Sequence, residues 1–99
     1  MSALDQAREN VERCREYAAD MLGGGMEAAL DLMLRCPLSS AARAQLDDVA
    51  LALERRKRGP ALRAIDLYQS ACKKLQGLEI IELAEARAEA RLVPVEGAR

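Results

Sequence analysis

Four consecutive basic residues are the feature of this sequence with the clearest chemical potential. Arg55, Arg56, Lys57 and Arg58 open a stretch, residues 55–74, in which seven basic side chains accompany one acidic side chain. Such a cluster can neutralise phosphate groups or attract an acidic protein surface. The whole chain has a net charge of -1, and the stretch lacks the interleaved aromatic residues that stack on bases. We interpret the cluster first as a solvated helix end. Binding of an acidic protein partner is the second interpretation, and binding of nucleic acid is the third.

Other residues that resemble parts of catalytic sites lack the partners that those sites require. Glu79, Glu82, Glu85 and Glu89 form a row of carboxylates, but di-metal sites in helical bundles pair glutamate with histidine, and the chain has no histidine. Residues 23–25 are three glycines, but neither the strand nor the Lys-Ser/Thr pair of a phosphate-binding loop accompanies them. We interpret these patterns as a solvent-facing row and a flexible turn. The sequence therefore predicts a protein that is not an enzyme and has no catalytic residue and no cofactor.

The chain has three cysteines, Cys14, Cys36 and Cys72, and an odd number at such wide spacing does not indicate a disulfide framework. Without histidine, the chain alone cannot supply the four ligands of a typical zinc site. Each cysteine lies on or beside an apolar stripe, and free cysteine often behaves as a small hydrophobic residue. We therefore predict three buried structural thiols and no metal.

The composition predicts one globular domain. Half of the residues are apolar, alanine and leucine dominate, and only Tyr17 and Tyr68 are aromatic, which favours closely packed helices. We expect a single helical domain over residues 1–92 and a flexible C-terminal tail over residues 93–99. No apolar run approaches the roughly 20 residues of a membrane span, and the first residues do not form a secretory leader. The expected location is the cytoplasm, with no membrane partner.

The spacing of apolar residues predicts about five helices, with breaks near residues 23–25, 36–39, 58–60 and 76–78. Ser2 is the expected cap of the first helix. The first seam consists of Leu4, Ala7, Val11, Cys14, Ala18 and Met21. The last helix, from residue 78 to about residue 92, is expected to turn Ile81, Ala84 and Ala88 inward and its glutamates outward. The fold class is therefore all-α, with antiparallel helical hairpins.

A hairpin over residues 46–76 is the centre of this organisation. Gly59 and Pro60 separate its two helices, because glycine readily ends a helix and proline is tolerated at the first position of the next. Small residues at Ala64 and Ala71 are expected where the two helices approach closely.

This hairpin resembles the tetratricopeptide repeat. The matching residues are Leu51 and Ala52 in the first helix, Gly59 at the turn, and Ala64, Tyr68 and Ala71 in the second helix. Residues 29–33 repeat three of the five residues at 64–68, and the offset of 35 residues is close to the family's period of about 34. Asp48, Arg55 and Gln76 depart from the family's usual residues. The chain is expected to be either a short array of two repeats with a capping helix or an ordinary small bundle.

The resemblance implies a protein-protein interaction module, such as an adaptor, a chaperone or a capping subunit. If the hairpin follows the repeat pattern, Leu51 and Ala52 face the second helix, and Leu46, Val49 and Leu53 lie on the concave side. Together with the basic run, they form the predicted partner-binding site: Leu46, Val49, Leu53, Arg55, Arg56, Lys57 and Arg58. The expected partner is a protein with an acidic or amphipathic segment. The alternatives are a small inhibitor, such as a phage-encoded anti-defence protein of the anti-CRISPR kind, and a bacterial or phage RNA- or DNA-binding protein that uses residues 55–74.

Overall fold

The regular structure consists of helices. The computed structural model describes the backbone of residues 2–97 and the side chains of residues 2–90. Within that part of the chain there are four helices and no strand. The helices are α1 (Ala3–Leu22), α2 (Glu27–Arg35), α3 (Ser40–Leu51) and α4 (Arg55–Gly97). The predicted all-α class is confirmed, whereas the prediction of about five helices is wrong.

The ends of the first three helices follow local sequence signals. At the start of α1 the Ser2 Oγ accepts a hydrogen bond from the Asp5 N–H at 3.1 Å, which satisfies one of the free amides there. Gly23 ends α1 in the left-handed conformation, with a φ of 81°. At the start of α3 the Ser39 Oγ accepts a hydrogen bond from the Ala42 N–H at 3.3 Å. The breaks predicted near residues 23–25 and 36–39 are confirmed.

The boundary between α3 and α4 lies at residues 52–54, so the predicted break at residues 58–60 is wrong. The Glu54 carbonyl accepts a hydrogen bond from the Lys57 N–H at 2.8 Å, and α4 starts there. Gly59 does not have a positive φ, and Pro60 lies in the second turn of α4. A proline at this position removes the intrahelical hydrogen bond to the Arg56 carbonyl. Because Arg56 is an exposed residue, water can take that role.

Helix α4 runs without interruption through Gly77, so the predicted break at residues 76–78 is also wrong. Its 43 residues span about 65 Å at about 1.5 Å per residue. The molecule measures 68 × 28 × 18 Å, so α4 extends along its whole length. The helix includes residues 93–97, where the sequence predicted a flexible tail, and residues 98 and 99 lie outside the described part.

Helices α1 and α4 form the most extensive helix pair. They are antiparallel, because the start of α1 lies beside Leu78 and Ile81 while its end lies beside Arg56 and Pro60. Helices α2 and α3 pack against each other and against α4. The buried apolar residues are Ala7, Val11, Ala18, Leu22, Ala29, Leu30, Met33, Ala42, Leu46, Ala50, Ala61, Ala64, Ile65, Tyr68, Ala71, Cys72 and Leu75. The predicted seam of α1 is confirmed. Ala64 and Ala71, which were expected where the two helices of the hairpin approach, are buried in this core.

The three cysteines have different environments. Cys72 is buried, Cys14 is half-buried, and Cys36 is exposed, so the prediction of three buried thiols is wrong for Cys36. Cys36 follows the last residue of α2 and lies outside the helical repeat that buries one face of that helix. At this turn Pro37 is the buried residue instead.

Candidate protein-binding surfaces of helix α4

The basic end of α4 is exposed to solvent. We use this name for Arg55, Arg56, Lys57 and Arg58, which form the first turn of the helix and are all exposed. Glu54 lies close to two of them, with its Oε2 3.5 Å from the Lys57 Nζ and 3.6 Å from the Arg56 Nη2. The positive end of the helix dipole disfavours cations at this position. Helix stability therefore does not explain why four basic residues are placed here.

A groove adjoins the basic end where α1 finishes and α4 begins. Its volume is about 350 Å³, and it is lined by Asp20, Met21, Arg56, Lys57 and Pro60. Met21 and Pro60 supply apolar surface beside two cations. The groove is therefore suited to an amphipathic segment that carries carboxylates.

The apolar half of the predicted partner site is not an open surface. Leu46 has an exposed fraction of 0% and belongs to the core, and Val49 and Leu53 are half-buried against it. Leu51 and Ala52, which the resemblance turned inward, are exposed. Helix α3 buries a stripe that runs through Leu46 at four-residue spacing, so the inward face is the opposite of the predicted one. The contribution of Val49, Leu53 and the basic end to partner binding stays a prediction.

The second exposed surface is the distal segment of α4, which we define as residues 79–90. Every side chain in this segment is exposed, because α1 begins beside Leu78 and no described helix continues alongside. Ile80, Ile81 and Leu83 have exposed fractions of 60%, 56% and 52%. The prediction that Ile81, Ala84 and Ala88 face inward is therefore wrong.

A change of face explains that error. Successive helix residues are turned by about 100°, so the buried stripe that contains Tyr68 continues onto Glu79, Glu82 and Ala86, all within about 40° of Tyr68. Ile80 and Ile81 are turned at least about 120° away from Tyr68. The bundle-facing side of the distal segment is thus acidic. If the helical repeat of Tyr68 is continued through Gly77, the sequence alone predicts that Glu79, Glu82 and Ala86 share its face. The predicted break at residues 76–78 removed this relation between the two segments.

We call the surface between the start of α1 and the distal segment of α4 the acidic notch. Two grooves flank Leu4 there, with volumes of about 470 and 320 Å³. Their lining combines carboxylates with apolar side chains and one cation: Asp5, Glu79, Glu82, Glu85, Leu4, Leu78, Ile81, Leu83, Ala86 and Arg8. The Arg8 Nη1 lies 3.9 Å from the Asp5 Oδ1, so that cation is already paired. Sequence reasoning missed this surface because it depends on which part of α4 lies beside the start of α1.

Polar side-chain contacts between helices help to hold the bundle together. The Tyr68 hydroxyl donates a hydrogen bond to the Leu30 carbonyl at 2.7 Å, which ties α4 to α2. Burial raises the pKa of Tyr68 and also that of Cys72 above their ordinary values. The hydrogen bond from Arg15 to Asp31 raises the pKa of Arg15 and links α1 to α2. These groups stabilise the fold on which the exposed surfaces of α4 are built.

A second polar network fixes α3 against α4. The Arg43 guanidinium donates to Asp47 at 2.8 Å, to Gln69 at 2.9 Å and to Asp66. Gln69 in turn donates to the Pro37 carbonyl at 2.8 Å. The four-residue spacing of Arg43 and Asp47 allows their ion pair to be predicted from sequence. The contacts of Arg43 with Asp66 and Gln69 cannot be predicted in this way, because they depend on how α3 packs against α4. The network holds α3 on the side of α4 that carries Asp66 and Gln69.

Within residues 2–90 no group of three His, Cys, Asp or Glu side chains could hold a metal ion. Among the described residues, none of the helices combines the length and apolar character needed to cross a membrane. Comparisons of the chain with protein-family models, with curated proteins and with solved structures found no match. The functional inference therefore depends on the surfaces of α4.

Proposed function

We propose that this chain is a non-enzymatic protein-protein interaction module that binds a partner protein through helix α4. The observation that carries the proposal is the distal segment, where Ile80, Ile81 and Leu83 remain more than half exposed and no described helix runs alongside. An apolar helix face of this kind is a common way for proteins to bind one another. An adaptor, a chaperone, a capping subunit and a small inhibitor would all use such a surface, and the identity of the partner distinguishes them.

The basic end supports the same function at the other end of α4. Its four cations are exposed, and the adjoining groove adds apolar surface from Met21 and Pro60. Charges at the edge of an interface mainly raise the rate of association, whereas buried apolar contacts contribute most of the affinity. We assign the basic end to steering an acidic partner.

Affinity capture with matched variants tests the proposal. A tagged parent chain is compared with the triple variant Ile80→Ser, Ile81→Ser and Leu83→Ser in its native cell extract, and captured proteins are quantified by mass spectrometry. Half-exposed side chains of this size contribute about 1 kcal/mol each on full burial, so the triple variant should weaken the purified complex roughly hundredfold. Leu38→Ser is the matched control, because Leu38 is exposed on the loop between α2 and α3. A captured protein that binds the parent and the triple variant equally would contradict the proposal.

Nucleic-acid binding is the second candidate, and the exposure of all four cations at the basic end favours it. An electrophoretic mobility assay with RNA and DNA separates the two functions. Tight shifts that weaken steeply with salt would favour nucleic-acid binding, because phosphate contacts release counterions. We expect no such shift, since the basic end covers a single helical turn and lacks stacking aromatic residues.

A further inference from the structure

Helix α4 carries opposite charges at its two ends. Residues 55–63 include five basic side chains and no acidic one, whereas residues 79–89 include four glutamates and a single arginine. The centres of these stretches are about 25 residues apart, which corresponds to roughly 38 Å along the helix. That distance is several times the screening length of about 8 Å at physiological ionic strength. The two ends therefore cannot neutralise each other within one molecule.

Apolar side chains lie beside the charges at both ends. The acidic notch lies between the start of α1 and the distal segment, and its lining includes Leu4, Ile81 and Leu83. The basic end adjoins the groove in which Met21 and Pro60 lie beside Arg56 and Lys57. The two ends therefore have opposite charges, and both have apolar surface that a contact between them could bury.

We infer that the chain associates head to tail, with the basic end of one copy seated in the acidic notch of the next. This inference rests on the proposed function of α4 as a protein-binding surface, and it names a second copy of the chain as a partner. The bundle-facing side of the distal segment continues the stripe that α1 covers along the rest of α4. A second copy placed end to end would cover that stripe where α1 does not reach. Because the two contacting surfaces differ, a pair of copies keeps one unused surface of each kind, and further copies can add to form an open chain or a ring.

A dimer that joins like ends fits less well. Joining two acidic notches would bring like charges together, and joining two basic ends would do the same. An antiparallel side-by-side dimer would pair opposite charges, but α1 already occupies the flank of α4 between the two ends. The head-to-tail contact pairs opposite charges at every junction.

Two charge variants and their mixture test the inference. In the first variant Arg55→Glu, Arg56→Glu and Lys57→Glu make both ends acidic, and in the second Glu79→Lys, Glu82→Lys and Glu85→Lys make both ends basic. All six residues are exposed, so the fold should persist, and circular dichroism checks this. A third variant changes three exposed basic residues outside both ends and is the matched control: Arg13→Glu, Arg35→Glu and Lys73→Glu.

Sedimentation velocity at low salt provides the readout. The mean mass of the parent should rise with concentration from 10.8 kDa and continue past the mass of two copies. It should return toward 10.8 kDa at high salt, because salt screens the charges at the contact. The control variant should behave like the parent. Each end variant alone should remain at 10.8 kDa, and mixing the two variants should restore association, because each then meets an end of opposite charge.

Three results would overturn the inference. They are a parent that stays monomeric at roughly 100 µM, a parent that stops at two copies, and end variants that still associate alone. A monomeric parent whose captured partner is lost in the Ile80, Ile81 and Leu83 variant would overturn this inference and leave the proposed function in place. A parent that assembles as expected while no other protein is captured would narrow the proposed function to self-association.

Discussion

Replacing Gly77 with alanine is expected to stabilise the fold. Helix α4 runs through this residue, and glycine in a helix interior costs about 0.8–1 kcal/mol relative to alanine. A Cβ atom added at Gly77 meets no atom within 4 Å, so the substitution introduces no clash. The free energy of unfolding should therefore rise by about 1 kcal/mol, which corresponds to roughly 4–8 °C in Tm for a domain of this size.

Urea and thermal unfolding followed by far-ultraviolet circular dichroism measure this change, in dilute protein so that association does not contribute. Gly23→Ala is the matched control. Gly23 has a φ of 81° at the end of α1, where a side chain is strained, so alanine there should lower stability by about 1 kcal/mol or more. The two substitutions are chemically identical and should change Tm in opposite directions.

A lower Tm for Gly77→Ala would refute this reasoning. It would mean that Gly77 ends one helix and begins another turn, as its position in the sequence pattern suggested. The distal segment would then be a separate helix, and its alignment with the rest of α4 would need another cause.

Further substitutions test the core and its buried polar groups. Ala64→Leu should lower the free energy of unfolding by about 1–3 kcal/mol in a urea titration, because Ala64 is completely buried; an unchanged midpoint would contradict this packing. Leu46→Glu should abolish cooperative unfolding, whereas Leu51→Glu should remain folded, because Leu46 is buried and Leu51 is exposed. Tyr68→Phe should cost about 1 kcal/mol by removing the hydrogen bond to α2. The pKa values of Tyr68 and Cys72 are raised in the fold, so their contribution to stability is complete below the ordinary values and is lost as pH rises through the folded values. Unfolding measured from about pH 8 to 11 should show this decline, with a smaller one in Tyr68→Phe; stability that rises with pH would be inconsistent with burial of these groups.

Sequence predicted the parts of the fold that depend on neighbouring residues. The cap at Ser2, the glycine end of α1 and the seam of α1 all depend on interactions within one or two turns of helix. Gly59 and Gly77 misled the prediction because glycine and proline change a helix by only a few kcal/mol. Packing of the stripe around Tyr68 outweighs that cost and keeps α4 continuous.

The candidate surfaces were predictable to different degrees. Exposure of the basic end followed from the charge of four consecutive residues. The acidic notch was not predictable, because it forms only when the start of α1 lies beside Leu78 and Ile81. Leu46 was assigned to a concave face by a resemblance that fixed which side of α3 faces inward. The structure places Leu46 in the core. The pattern of apolar residues along α3 does not by itself show which of its sides is covered by other helices.

The continuity of α4 sets both the distance and the rotation between its two ends. Along an unbroken helix each residue adds about 1.5 Å and turns the chain by about 100°, so the separation and the relative orientation of the basic end and the distal segment follow from the number of residues between them. Length and direction are therefore coupled. Seven residues inserted after Gly77 would add about 10 Å and rotate the distal segment by only about 20°. Two inserted residues would add about 3 Å but turn its apolar face to nearly the opposite side.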